Sequence, residues 1–296
     1  MNRTELNKDK QTEIEHEKRN SAIKKIIKRI VYSLIIIFFV TFFSLLYIVK
    51  IGTTNIIVNE KAIINEKIPD SFTGLKIIQF SDLHYDDINI LKNTVKLINR
   101  RNPDIILFTG DLLKKEKISL EEKEILVKEL KKLKSTLGKY AVIGESDNEE
   151  ALNILNNCDF IILNDSNDLI YDESNNPIML VGLNTNHSPN YQQAFTNYNQ
   201  NIFTITMFHK PDYIDEFIKT YPSDLALAGH SHLGEIRIPS LINMASFKKA
   251  SKYINSYYEI NNTKFYISSG LGTIKYPVRI NARPSINFFR LRKTAS

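Results

Sequence analysis

Residues 30–49 (IVYSLIIIFFVTFFSLLYIV) run for twenty positions without a charge. At about 1.5 Å per residue, a helix of this length crosses roughly 30 Å of hydrocarbon. A buried core helix normally keeps a polar face. This run offers only Ser33, Thr41 and Ser44, whose hydroxyls can bond back to their own helix. A transmembrane helix is therefore predicted. A cleavable signal peptide fits less well, because the run is too long and no small-x-small site follows it. From about residue 54 the pattern changes to short apolar runs alternating with amphipathic stretches. Residues 76–80, 105–109, 140–143, 160–163, 178–183, 202–208 and 224–228 are expected strands, as are 235–238, 264–268 and 285–291. Residues 120–137 carry Leu126, Leu130, Leu133 and Leu137 at helical spacing, and 89–101 and 212–220 are further helix candidates. Pro103 follows the first of these two and Pro211 precedes the second. Strand-helix alternation followed by β-rich sequence points to one α/β sandwich domain over residues 54–296.

Charge refines this picture. The chain has 39 basic and 33 acidic residues, and residues 1–29 hold 9 and 5 of them. The basic excess thus sits near the N-terminus rather than on a domain face, which argues against a nucleic-acid partner. Lys24, Lys25, Lys28 and Arg29 flank the apolar run on one side, whereas Lys50 and then Lys61 follow it on the other. The positive-inside tendency places residues 1–29 in the cytoplasm as a polar tail, mobile or weakly helical before residue 24, and the main domain outside. A single cysteine, Cys158, excludes an internal disulfide and a Cys-rich zinc site.

The candidate chemistry lies just beyond the expected strands. The runs lead into Ser81-Asp82-Leu83-His84, Gly110-Asp111, Gly144-Glu145, His209 and Gly229-His230-Ser231-His232. Four of the six histidines fall in these places. Ligands of open α/β sheets bind at the carboxyl ends of strands. In an extended segment, residues i and i+2 point the same way, so Asp-x-His and His-x-His can each serve one cluster. Oxygen and imidazole donors without thiolate suit Mn, Fe or Zn. His16 is expected to be solvated, and His187 to sit in a loop. Tyr85, Asn184, His187 and Lys275 are candidates for a pocket wall. Arg279 is read as an exposed solubilising residue rather than a phosphate contact.

These motifs, with Ser268-Ser269-Gly270-Leu271-Gly272, resemble the calcineurin-like metallophosphoesterases from about residue 70 onward, and within them a membrane-anchored bacterial group. The resemblance implies a four-layer α/β/β/α sandwich and two divalent metal ions. It implies that Asp82, His84 and His232 hold one metal, that His209 and His230 hold the other, and that Asp111 bridges them. Two positions depart from the family pattern. Where the family reads Gly-Asn-His-Asp/Glu, this chain reads Gly144-Glu145-Ser146-Asp147. Glu145 is expected to replace the Asn as a ligand, since a carboxylate is also a hard donor. Ser146 stands where a histidine is thought to help protonate the leaving group, and a hydroxyl is a poor acid near neutral pH. Glu235 stands where related sequences often carry Gln.

The resulting expectation is a membrane-anchored phosphoester or phosphoanhydride hydrolase in which a water bridging two cations attacks phosphorus in line. Its substrate would be lipid- or envelope-linked, because the anchor keeps the site near the bilayer. The alternative is a metal- and phosphate-binding module of the same fold, impaired by the change at residues 145–146.

Overall fold

The computed structural model describes residues 3–237 and 250–294, with side chains from residue 14 onward. The chain divides into two compact units, Met1–Ile48 and Val49–Ser296. The first unit is essentially helix α1 (Arg3–Leu46). The candidate membrane helix has an apolar stretch that is not buried within the protein at all. Of the polar tail, expected to be mobile or weakly helical, residues 3–29 are helical as part of α1. Its sequence is rich in Glu, Lys and Arg, which are good helix formers, and extending an existing helix needs no new nucleus.

The second unit starts with a π-helical turn, Tyr47–Ile51, shared with the first, and the short α2 (Gly52–Thr54). The elements that follow are β1 (Ile57–Asn65), β2 (Lys76–Phe80), α3 (Ile88–Asn99), β3 (Ile105–Phe108) and α4 (Leu120–Leu130). Next come β4 (Gly138–Ala141), α5 (Glu149–Asn157), β5 (Phe160–Ile162), β6 (Ser166–Tyr171) and β7 (Pro177–Gly182). The last are α6 (Tyr191–Ala194), β8 (Thr204–Met207), α7 (Ile214–Phe217), β9 (Leu225–Ala228), β10 (Tyr257–Ile260), β11 (Thr263–Ile267) and β12 (Ser285–Lys293). Among the described residues they form two six-stranded sheets, ordered β1-β12-β2-β3-β4-β5 and β10-β11-β9-β8-β7-β6. Strands β2 to β5 are mutually parallel, as are β7, β8, β9 and β11, while β12 runs antiparallel to β2.

Alternation along each strand sorts the side chains into layers. Ile77, Ile105 and Leu107 of the first sheet pack with Leu180, Ile205, Met207 and Leu227 of the second. Ile78, Phe80, Ile106 and Phe108 point the other way and meet Leu91, Val95 and Ile98 of α3, Leu126 and Leu130 of α4, and Ile154 of α5. Ala226, Ala228 and Val181 similarly meet Ile214 and Phe217 of α7. The result is the four-layer α/β/β/α sandwich.

Some expected elements differ. The helix over 120–137 stops at Leu130, although Leu133 remains buried through the turns that follow. The expected strand 140–143 is displaced to Gly138–Ala141. The helix over 212–220 is a 3₁₀ turn, Pro211–Tyr213, joined to the one-turn α7. No strand forms over 235–237, where Ile236 makes one isolated bridge to Ile280, and residue 238 lies outside the described residues.

Candidate metal centre

The carboxyl ends of β2, β3 and β4 in one sheet, and of β8 and β9 in the other, deliver the motif residues to one rim. The loops do this with left-handed backbone. Asp82, His84, Asp111, His230 and His232 have φ of 49°, 38°, 62°, 66° and 45°. Non-glycine residues there cost of order 1–3 kcal/mol each and persist only when their surroundings over-determine them. The convergence of Asp-x-His and His-x-His therefore comes from tight turns, not from the extended alternation expected from the spacing. Two glycines make the turns possible. Gly110 has φ +91°, and a Cβ there would lie 2.7 Å from both Gly144 N and His209 Nδ1. A Cβ on Gly144 would collide with Asp111.

Six buried side chains form two triads, Asp82–His84–His232 and Asp111–His209–His230. Within each, one potential ligand atom per residue lies within 4.8 Å of the others. His232 Nε2 is 3.4 Å from Asp82 Oδ1 and 3.2 Å from His84 Nε2. Asp111 Oδ2 lies 3.3 Å from His209 Nε2 and 3.5 Å from His84 Nε2, so it touches both groups. Asp82 in turn accepts the backbone N–H of His230 at 3.0 Å, which ties the two sheets together at this point. His209 donates Nδ1–H to the Thr109 carbonyl at 2.7 Å, which fixes the ring and turns Nε2 inward toward Asp111. That Nε2 is buried without a hydrogen-bond partner. An orphaned ring nitrogen and a carboxylate shared between two groups of imidazoles fit a pair of divalent cations, and the donor set suits Mn, Fe or Zn.

The electrostatics agree with that fit. Burial works to raise the Asp82 carboxyl, but His232 and His209 outweigh it and hold it at about 2. Asp111, also buried, is held well below the usual carboxylate range by His209 and His84. Conversely, burial disfavours charge on His209, yet Asp111 and Asp82 drive it up to about 10. His232 is raised by Asp82 in the same way against its burial, whereas His84 is pushed down to about 4, first by burial and then by His232. Two carboxylates thus draw positive charge into a buried rim.

The altered segment surrounds this rim. Glu145 lies outside the two triads, with 48% of its side chain exposed. Its Oε2 is 3.2 Å from Lys210 Nζ, and its Oε1 is 3.7 Å from His230 Nδ1. Ser146 donates its backbone N–H to Asp111 Oδ1 at 2.8 Å, and its side chain is half-buried. Asp147 has a structural role that the motif pattern alone does not reveal. It accepts N–H bonds from Asp111, Leu112 and Gly144 at 2.7–2.8 Å, so it clamps the β3 and β4 loops together. Its place as the fourth residue of the glycine motif was the available signal.

Arg279 is not exposed. It is buried and donates to the carbonyls of Ser269, Ala282 and Gly272. Tyr85 and Asn184 are buried within the fold, His187 and Lys275 are exposed, and His16 is exposed on α1.

A model of the family described as calcineurin-like phosphoesterase matches residues 75–234. An uncharacterized metallophosphoesterase, YkuE, of Bacillus subtilis (strain 168) is 28% identical over 79% of this chain and 85% of the relative. The UDP-2,3-diacylglucosamine pyrophosphatase LpxG of Chlamydia muridarum (strain MoPn / Nigg) is 25% identical over 76% of this chain and 86% of that protein. The solved structure of phosphopantetheinyl hydrolase from Mycobacterium tuberculosis aligns with a TM-score of 0.40 and 10% identity, over 68% of this chain and 91% of that one.

Proposed function

Because the chain belongs to the calcineurin-like phosphoesterases, we propose that it is a membrane-anchored phosphohydrolase that uses two divalent metal ions and favours phosphoanhydrides or activated diesters. The observation that carries this reading is the pair of buried triads, with Asp111 of one lying 3.5 Å from His84 of the other, all inside the matched segment. Asp82, His84 and His232 would hold one ion and His209 and His230 the other, with Asp111 between them. Glu145 would add a ligand to the second ion by leaving Lys210, its side chain being partly free in solvent. Two cations held there would supply charge neutralisation for phosphoryl oxygens and an activated water.

The substrate preference follows from residue 146. A serine hydroxyl does not protonate a leaving group near neutral pH, so the leaving group must depart with little help. Phosphoanhydrides and aryl esters meet that condition, and alkyl phosphates do not. The activity in the name of the Chlamydia relative, a pyrophosphatase, is of the same kind. Lys210, next to His209 at the rim, supplies a cation for a second phosphate once Glu145 turns to the metal. Residues 30–49 span the bilayer, 1–29 form a cytoplasmic tail, and 54–296 form the hydrolase domain outside, which suits a lipid- or envelope-linked substrate.

The test uses the full chain purified in detergent and loaded with Mn²⁺. Hydrolysis of a nucleoside diphosphate-sugar and of an aryl phosphodiester should exceed that of an alkyl phosphodiester, and chelation should abolish all of it. Bound metal without turnover on any of them would indicate a binding module instead. Protease accessibility of the domain in intact cells tests the orientation, since protection from outside would reverse it.

A further inference from the structure

Glu235 lies behind His232, away from the metal triad. Its Oε1 is 3.1 Å from His232 Nδ1, while the other ring nitrogen of His232 faces Asp82 and His84. The Arg279 Nη2 atom lies at 3.1 Å from the same Nδ1. These two neighbours make opposite demands on the ring. A guanidinium can only donate, so a bond from Arg279 makes Nδ1 an acceptor and leaves the ring proton on Nε2. A carboxylate can only accept, so a bond to Glu235 puts the proton on Nδ1 and leaves Nε2 its lone pair. Only the second arrangement lets Nε2 bind a metal.

The surroundings favour Glu235. Arg279 already has carbonyl acceptors: its Nη1 donates to Ser269 at 2.8 Å and Ala282 at 2.7 Å, and its Nη2 to Gly272. Three of its N–H groups are thus already taken, and only the second Nη2 hydrogen is left to compete for the imidazole. Glu235 Oε1 also accepts the Ile274 N–H at 3.0 Å, which fixes the carboxylate in place. The residue itself is held at φ 45°, in the left-handed region, directly after the turn that begins at His232, and its side chain reaches back to that histidine.

We propose that Glu235 is a positioning residue that selects the metal-binding tautomer of His232 against the competing donor Arg279, and thereby sets the metal affinity of the Asp82–His84–His232 triad. This inference rests on the two-metal reading above. A carboxylate in this place also makes the imidazole a stronger donor to the metal than a neutral amide would.

The experiment measures Mn²⁺ affinity of the full chain by chelator competition, in the parent protein and in Glu235→Gln and Glu235→Ala. Outer partners of ligating histidines are typically worth about 10–100-fold in metal affinity. Glu235→Ala should therefore weaken one of two sites by that factor and spare the other. Glu235→Gln keeps an acceptor oxygen and should lose only several-fold. Adding Arg279→Met to Glu235→Ala removes the competing donor and should restore part of the loss. In the Co²⁺-loaded protein, a slowly exchanging, paramagnetically shifted Nδ1 proton of His232 should be present with Glu or Gln and absent with Ala. If the parent protein binds no Mn²⁺, the two-metal reading itself fails. If it binds two and Glu235→Ala holds both equally tightly, the role of Glu235 is overturned while that reading stands. Should Glu235→Ala not fold, Glu235→Gln decides: affinity equal to the parent overturns the proposal.

Discussion

Replacing Asp147 with alanine removes the clamp between the β3 and β4 loops. Its carboxylate accepts three backbone N–H groups, from Asp111 and Gly144 at 2.8 Å and Leu112 at 2.7 Å. Hydrogen bonds to a charged group contribute about 1.5–3 kcal/mol each, so the gross loss is about 4–9 kcal/mol. Asp147 is half-buried, so water enters and satisfies part of what is lost. A net destabilisation of about 3 kcal/mol is the reasonable expectation. For a folded unit spanning Val49–Ser296, about 2–4 °C per kcal/mol gives a fall in Tm of roughly 6–12 °C. Because the backbone of Asp111 is one of the groups released, metal retention should fall too. The assay is thermal unfolding of the full chain in detergent, with and without Mn²⁺, beside Ser146→Ala as a control. Ser146 supports Asp111 through its backbone N–H, so losing its hydroxyl should leave Tm nearly unchanged. If Asp147→Ala melts within about 2 °C of the parent and retains its metal, the clamp argument is wrong.

Gly110→Ala should prevent the site from forming, since its Cβ would press on Gly144 N and His209 Nδ1 at 2.7 Å with φ at +91°; normal yield and metal content would refute that. Ser146→His should raise kcat on an alkyl phosphodiester by about 10²-fold or more and change an aryl diester little, which parallel turnover assays would check. Metal binding near neutral pH should release about two protons per chain, because His209 (raised to about 10 by Asp111 and Asp82 against its burial) and His232 (raised by Asp82) must lose theirs to become ligands. The same sign means that affinity falls as the pH drops; calorimetry in buffers of different ionisation enthalpy measures the proton count, and zero release would contradict the arrangement.

The triad residues were legible because each is announced locally: an apolar run, a turn, then a donor residue. Left-handed turns at Asp82, His84, His230 and His232, and not extended alternation, aim the side chains, and the glycines before Asp111 and His230 are the local sign of such turns. Three strands escaped notice, β1, β6 and β10, and all three are sheet edges. An edge strand keeps polar residues on its open side, as in the sequence IVNEKAIIN of β1, so its alternation is weak. Helix α5 was readable in principle, with Asn148 as its cap and Ala151, Ile154 and Leu155 on one buried face. Helix α4 was read too long because Leu133 belongs to the core without being helical. The burial of Arg279 and its competition with Glu235 depend on contacts between segments some forty residues apart, which no local pattern encodes.

Metal counting on the full chain tests the central claim most directly. After loading with Mn²⁺ and removal of free ion, elemental analysis should find two ions per chain, and Asp111→Asn should lose both, because its Oδ2 lies beside His209 and His84 alike. Fewer than one tightly held ion in the parent protein, or two ions undiminished in Asp111→Asn, would contradict a shared two-metal centre.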